Sequence, residues 1–213
     1  MPATDTWIDE FDDGLARFRS AGAVHPASMF QTPQGRVVGP QTGNAICIVD
    51  DPFATKADGT RSSTAAAAPS YANRFPGLRD ASNAVEVEFW DGAELSIEDV
   101  EIAPGREFHF EWCFVRGTSP LGGGAELDAA LLVEHPEGGV ERPLLLADTG
   151  SLRALGREHT GWRGRGVAYP HGFRGTLRWI CANGAIRNPA APASSPFRKL
   201  FPSALLLDCV KVL

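Results

Sequence analysis

Carboxylates, an imidazole and an indole recur at alternate positions in two segments of this 213-residue chain. Val85 to Trp90 reads VEVEFW, and Arg106 to Val115 reads REFHFEWCFV. Successive side chains of an extended strand point to opposite faces. Glu86, Glu88 and Trp90 therefore share one side of the first segment, and Glu107, His109 and Glu111 share one side of the second. Arg178 joins such a face if its neighbours Leu177 and Trp179 point into the core. A sheet surface with these groups suits a small polar ligand, above all a sugar, which offers C–H faces to aromatic rings and hydroxyls to charged partners. The ligand-binding candidates are Trp90, Glu88, His109, Glu111 and Arg178, with Tyr71 from a loop. Glu86, Glu88, His109 and Glu111 are also the candidates for acid–base catalysis, where a carboxylate with a raised pKa needs a proton-accepting partner. The competing reading is a solvated face with cross-strand charge pairs. Trp90 tips the balance toward a site, because a large aromatic on a charged face is costly when simply exposed.

Other chemistries find no support. Leu121 to Ala125 is glycine-rich but lacks the lysine ending and following helix of a phosphate loop. No Gly-x-Ser-x-Gly nucleophile elbow occurs. Cys47, Cys113, Cys181 and Cys209 are far apart, form no CxxC, and each lies in an apolar run, so buried reduced thiols are expected rather than zinc or a redox pair. His25, His135, His159 and His171 read as scattered loop residues facing solvent. A net charge of −6 gives no reason to expect nucleic acid or an anionic membrane as partner. No stretch approaches the ~20 apolar residues that span a bilayer. The first residues carry no basic and apolar signal pattern, so a cytoplasmic chain is expected.

The elements that must hold these groups are strands. Phe108, Phe110, Trp112 and Phe114 make an aromatic wall on one side of Arg106–Val115, between turn chemistry at Pro104-Gly105 and at Gly117. That wall requires a second apolar sheet opposite. Ala45–Val49 is a continuous apolar run suited to a strand covered on both faces. Val85–Trp90 and Leu95–Ile102 are expected as two strands around an Asp91-Gly92 turn. Leu127–His135 and Val140–Leu146 make a hairpin around Pro136 to Gly139, and Thr176–Ala182 and Ser203–Leu213 are further strands. No helix is evident. Phe53 to Ala84, which holds Tyr71, lacks periodicity and is either a lid over a site or a surface excursion. One all-β domain spanning residues 1–213 follows, a two-sheet antiparallel β-sandwich with long loops.

Several groups, in this order, resemble the galactose-binding-like jelly rolls found in many carbohydrate-binding modules. They are Glu10 to Gly14, Gly43 to Ile46, Ile102 to Phe110, Gly161-Trp162, Gly175 to Trp179, and Leu207 to Val210. Departures are the long loops at 53–84 and 183–202, and Cys209 where a polar residue is common. The resemblance implies a structural calcium ion shared by Asp12, or Asp13 in its place, and Asp208. Calcium takes 6–8 oxygen ligands at ~2.3–2.6 Å. A lone carboxylate in the apolar run around Asp208 needs a cation or hydrogen bonds. The implied function is binding of a glycan or glycoside. Two alternatives share the fold: a Stig-cyclase-like enzyme using a carboxylate acid in a loop-covered pocket, and a phage or assembly subunit. A deep apolar pocket with one buried carboxylate is expected of the cyclase; an open groove floored by Trp90 is expected of the glycan binder.

Overall fold

The computed structural model describes residues 7–21, 24–27, 29–32, 35–41, 44–49, 79–80, 85–117, 128–186 and 203–213. The described strands are, in chain order, β1 (Trp7–Asp9), β2 (Arg19–Ala21), β3 (Val24–Ala27), β4 (Phe30–Gln31), β5 (Val37–Val38), β6 (Ala45–Val49) and β7 (Arg79–Asp80). Then come β8 (Val85–Ile102), β9 (Arg106–Val115), β10 (Ala129–Pro136) and β11 (Arg142–Asp148). A short helix α1 (Thr149–Ala154) precedes β12 (Arg163–Tyr169), β13 (Phe173–Ile186) and β14 (Ala204–Val212).

Two antiparallel sheets form the sandwich. The first runs β12-β9-β14-β6-β3 with β1 on β14, and the second runs β11-β10-β13-β8-β2 with β7 on β8. The aromatic wall is buried as expected: Phe108, Phe110 and Phe114 at 0% exposure and Trp112 at 4%. The opposite sheet answers with Trp179, whose ring lies 5.7 Å from Phe108 and 5.6 Å, edge-on, from Phe110. Such aromatic pairs add about 0.5–1.5 kcal/mol each beyond the area they bury. Leu177, Leu95, Ile102, Ile46, Ile48, Leu205 and Leu207 complete one core drawn from both sheets. β6 is covered on both faces, as its unbroken apolar run requires.

Three expectations are corrected. Asp91-Gly92 is no turn: β8 runs unbroken through it, and the surplus residues are taken up as bulges against β13 between Cys181 and Asn183 and between Gly175 and Leu177. Residues 163–175, rich in Gly and Arg and not expected as strand, carry an edge strand, β12, and the start of β13. A helix is present, α1, capped by Asp148, whose carboxylate accepts from Ser151 N at 2.8 Å. The Leu127–Leu146 hairpin forms as β10 and β11, turning where Gly139 N donates to Pro136 O at 2.9 Å. The segment 53–84 lies outside the described residues except for β7.

All four cysteines are free; Cys47, Cys113 and Cys181 are buried, and Cys209 is half-buried. Burial pushes the Cys47 thiol from 9.0 up to about 12. It pushes Cys113 up to about 11, against smaller opposing effects of Thr160, Gly161 and Arg163. Thiols held protonated in the fold but free to ionise when unfolded stabilise fully below pH ~8.5, the ordinary cysteine pKa. Their contribution is lost as pH rises through about 11 to 12. Native chain at pH 8 is therefore expected to leave Cys47 and Cys113 unlabelled by a thiol reagent, and urea midpoints are expected to fall between pH 9 and 11. Rapid labelling of both thiols without unfolding would contradict this packing.

Candidate functional site

With its aromatic side chains turned inward, β9 places Glu107, His109 and Glu111 on the outer face of the first sheet. Glu107 is exposed; His109 and Glu111 are half-buried. The neighbouring strands decide what flanks them. β12 sets Gly166 beside His109 and Gly164 beside Glu111, while β14 sets Lys211 and Asp208 there. The glycines make room. A Cβ on Gly164 would lie 3.0 Å from His109 Nε2, and one on Gly166 would overlap the Glu107 carboxylate. The imidazole and the carboxylate thus lean over bare backbone. His109 Nδ1 is buried with no hydrogen-bond partner among the described residues, a desolvation cost of about 1–3 kcal/mol unless a ligand or water meets it.

Asp208 is fully buried at the point where β14 changes neighbours, from β6 along Ala204–Leu207 to β1 along Val210–Val212. Its pairing with β9 also shifts register here, and Cys209 adopts φ 45°. Asp208 Oδ2 accepts from Gln41 N at 2.9 Å. Burial is the main cause that raises the Cys209 thiol; Lys211 opposes it, and Glu111, Glu10 and Asp208 add to it. Acid is therefore concentrated around this bulge. Asp12, expected to share a calcium ion with Asp208, is exposed in the turn after β1, as is Asp13. Among the described residues no three His, Cys, Asp or Glu side chains gather to hold a metal. Calcium at Asp208 would need backbone carbonyls for most of its ligands.

Toward the far end of β9 the outer face becomes apolar. Cys113, Val115, Cys47, Ala204 and Leu206 are covered by Val38 and Phe30 of the β4–β5 hairpin and by Trp162. Trp162 is half-buried, and its indole donates to Gly39 O at 2.7 Å. Beyond Trp162 lies a cavity of about 310 Å³ lined by Arg36, Arg157, Glu158, His159 and Thr160 together with Gly156 and Gly161. Glu158 is 8% exposed; its Oε2 accepts from Thr32 Oγ1 at 3.0 Å and lies 3.9 Å from Arg36 Nε.

The structure divides the expected site residues. His109 and Glu111 share one face. Glu86, Glu88 and Trp90 belong to β8, in the other sheet, with side chains outside the described residues, as is Tyr71. Arg178 does point away from the core, since Leu177 and Trp179 are both buried. It lies on the second sheet, however, held by Glu94 at 3.4 Å and by Glu141. His109 and Glu111 therefore stand in a different sheet from Arg178 and from the β8 backbone, because the Pro104-Gly105 turn carries the chain from one sheet to the other. His159 is also corrected: it is half-buried and lines the cavity. Trp162, Arg36, Arg157 and Glu158 were not singled out as site residues from sequence; Gly156 and Gly161, with φ of 63° and 70°, are the only local signal there.

No family model and no curated protein matches the chain. Solved structures similar to it include the K1 cleaved adhesin domain of Lys-gingipain from Porphyromonas gingivalis W83, at 15% identity and TM-score 0.43 over 98% of both chains. TmCBM61 in complex with β-1,4-galactotriose is similar at 15% identity and TM-score 0.40, over 96% of this chain and 93% of that one. The family 11 carbohydrate-binding module of Clostridium thermocellum, in complex with a β-1,3-1,4-mixed-linked tetrasaccharide, is similar at 8% identity and TM-score 0.38, over 98% and 95%.

The glycines separate site from scaffold. Gly166→Ala needs only the exposed Glu107 side chain to swing away, so the melting temperature is expected to stay within about 2 °C. Gly175 has φ 152°, and a Cβ there would collide with His135 O. Gly175→Ala is expected to cost about 1–3 kcal/mol. Paired urea melts check both, and a large loss for Gly166→Ala would mean that this glycine serves the fold instead.

Proposed function

We propose that the chain is a binding protein that takes a glycan or glycoside along the outer face of the first sheet, across Glu107, His109 and Glu111 toward Trp162. The observation that carries this reading is His109. Its half-buried imidazole leans over a glycine of β12 with a buried nitrogen that has no hydrogen-bond partner among the described residues, beside carboxylates at Glu107 and Glu111. Sugar hydroxyls both donate and accept, so they suit a surface of carboxylate acceptors, an imidazole and a lysine ammonium at Lys211. Trp162 adds a half-exposed aromatic at the end of the strip. Isothermal titration of the full chain against a glycan panel tests the proposal. His109→Ala and Glu111→Ala are each expected to weaken binding at least tenfold while leaving the melting temperature within a few degrees. Absence of any glycan binding, or wild-type affinity in His109→Ala, rejects the site.

A structural calcium at Asp208 belongs to the same proposal. It is supported by a buried carboxylate on a strand bulge within a concentration of acid. Calcium is expected to raise the melting temperature relative to chelator, and Asp208→Asn to abolish that increment. Equal melting temperatures in calcium and in chelator reject the ion.

A further inference from the structure

We infer that the cavity beyond Trp162 is an anion subsite, which makes the preferred ligand a glycan bearing a carboxylate or a sulfate ester. This deepens the glycan reading and rests on it. The cavity is rich in donors. Arg36, Arg157 and His159 are all among its lining residues. His159 Nδ1 accepts from Gly161 N at 3.0 Å, which leaves Nε2 as the nitrogen that carries the proton in the neutral ring. Arg116 is tied to this lining through its backbone N–H, which donates to Glu158 O at 2.9 Å, and its Nε is buried without a hydrogen-bond partner among the described residues.

Against these donors the cavity sets one carboxylate, Glu158, whose Oε2 is engaged by Thr32 and Arg36, while its Oε1 is buried without a hydrogen-bond partner among the described residues and is placed to accept from a sugar hydroxyl. Two arginines against one carboxylate leave the balance positive, and an anionic group that also carries hydroxyl donors completes it. Planar guanidinium groups match carboxylate and sulfate oxygens in pairs. The volume, about 310 Å³, falls at the small end of ligand pockets, which run from about 300 to 1,000 Å³.

The acids of the strip do not cancel this charge. His159 bridges to Val115, and Glu111 lies four residues back along β9, about 13 Å at strand rise. That exceeds the screening length of about 8 Å at physiological salt. The same distance lets one oligosaccharide reach both places. Its neutral rings meet Glu111 and His109, and its acidic substituent enters between Arg36 and Arg157. Because the whole chain carries −6, an anionic glycan gains nothing from the general field, and its recognition depends on this local cluster.

The test titrates the full chain with three oligosaccharides of matched length: an oligo-uronate, its carboxyl-reduced neutral counterpart, and a sulfated analogue. An acidic form is expected to bind at least tenfold tighter than the neutral one, with the advantage falling as salt rises. Arg157→Ala, at an exposed position that should not disturb folding, is expected to bring acidic and neutral affinities together. The stronger of the uronate and sulfate arms identifies the substituent. Equal binding of acidic and neutral forms overturns the anion subsite while leaving the glycan reading intact. A preference that survives Arg157→Ala overturns its placement in this cavity. Failure of all three to bind, together with the rest of the panel, overturns both readings.

Discussion

Everything on the outer face follows from how Trp179 meets Phe108 and Phe110 across the sandwich. That contact fixes the parity of β9. With even-numbered side chains committed to the core, Glu107, His109 and Glu111 must face outward, and a one-residue slip would bury all of them. Pairing then passes the constraint sideways. β12 must present Gly164 and Gly166 on that face, and β14 must present Asp208 and Lys211. The core contact thus decides which chemistry the surface holds, although none of the surface residues touches it.

The parity of β9 could be read from sequence because alternation is a local property. So could the doubly covered β6 and the hairpin of β10 and β11, whose apolar runs and turn residues lie close together in the chain. Pairing between strands is not local, and here sequence reasoning stops. β8 and β9 both alternate and are joined by a tight turn at Pro104-Gly105, which suits adjacent strands in one sheet equally well. In the fold that turn crosses between sheets, so Glu88 and His109 stand in different sheets. β12 carries no strand signal because its outward positions are glycines, and the side chains of His109 and Glu107 from β9 occupy the space over them. The helix α1, six residues long, is too short to establish a 3.6-residue period.

The bulge in β14 shows how a local irregularity serves two demands. The strand must accept β6 and then β1 along one edge while staying paired with β9 on the other. The shift in register falls at Asp208 and Cys209, and the positive φ of Cys209 takes up the bend. A buried aspartate in an apolar strand is otherwise unfavourable. Here the chain at Gln41 turns an amide N–H onto it, which ties the segment before β6 to the closing strand. That bond is charge-assisted and engages only Oδ2 of the carboxylate.

Charge is also arranged unequally on the two faces. On the second sheet Arg178 is held between Glu94 and Glu141, with His135 4.0 Å from Glu141, a set of groups that largely neutralise one another. On the first sheet Arg36 lies 3.9 Å from Glu158. Acids collect near the β14 bulge, guanidinium groups collect around Glu158, and the apolar patch under Trp162 keeps them apart. Mutual neutralisation would stabilise the fold more simply, as it does around Arg178. His109 Nδ1 and Arg116 Nε are both buried without a hydrogen-bond partner among the described residues, which costs stability. Local departures of this kind concentrate where a surface is shaped to be completed by something else.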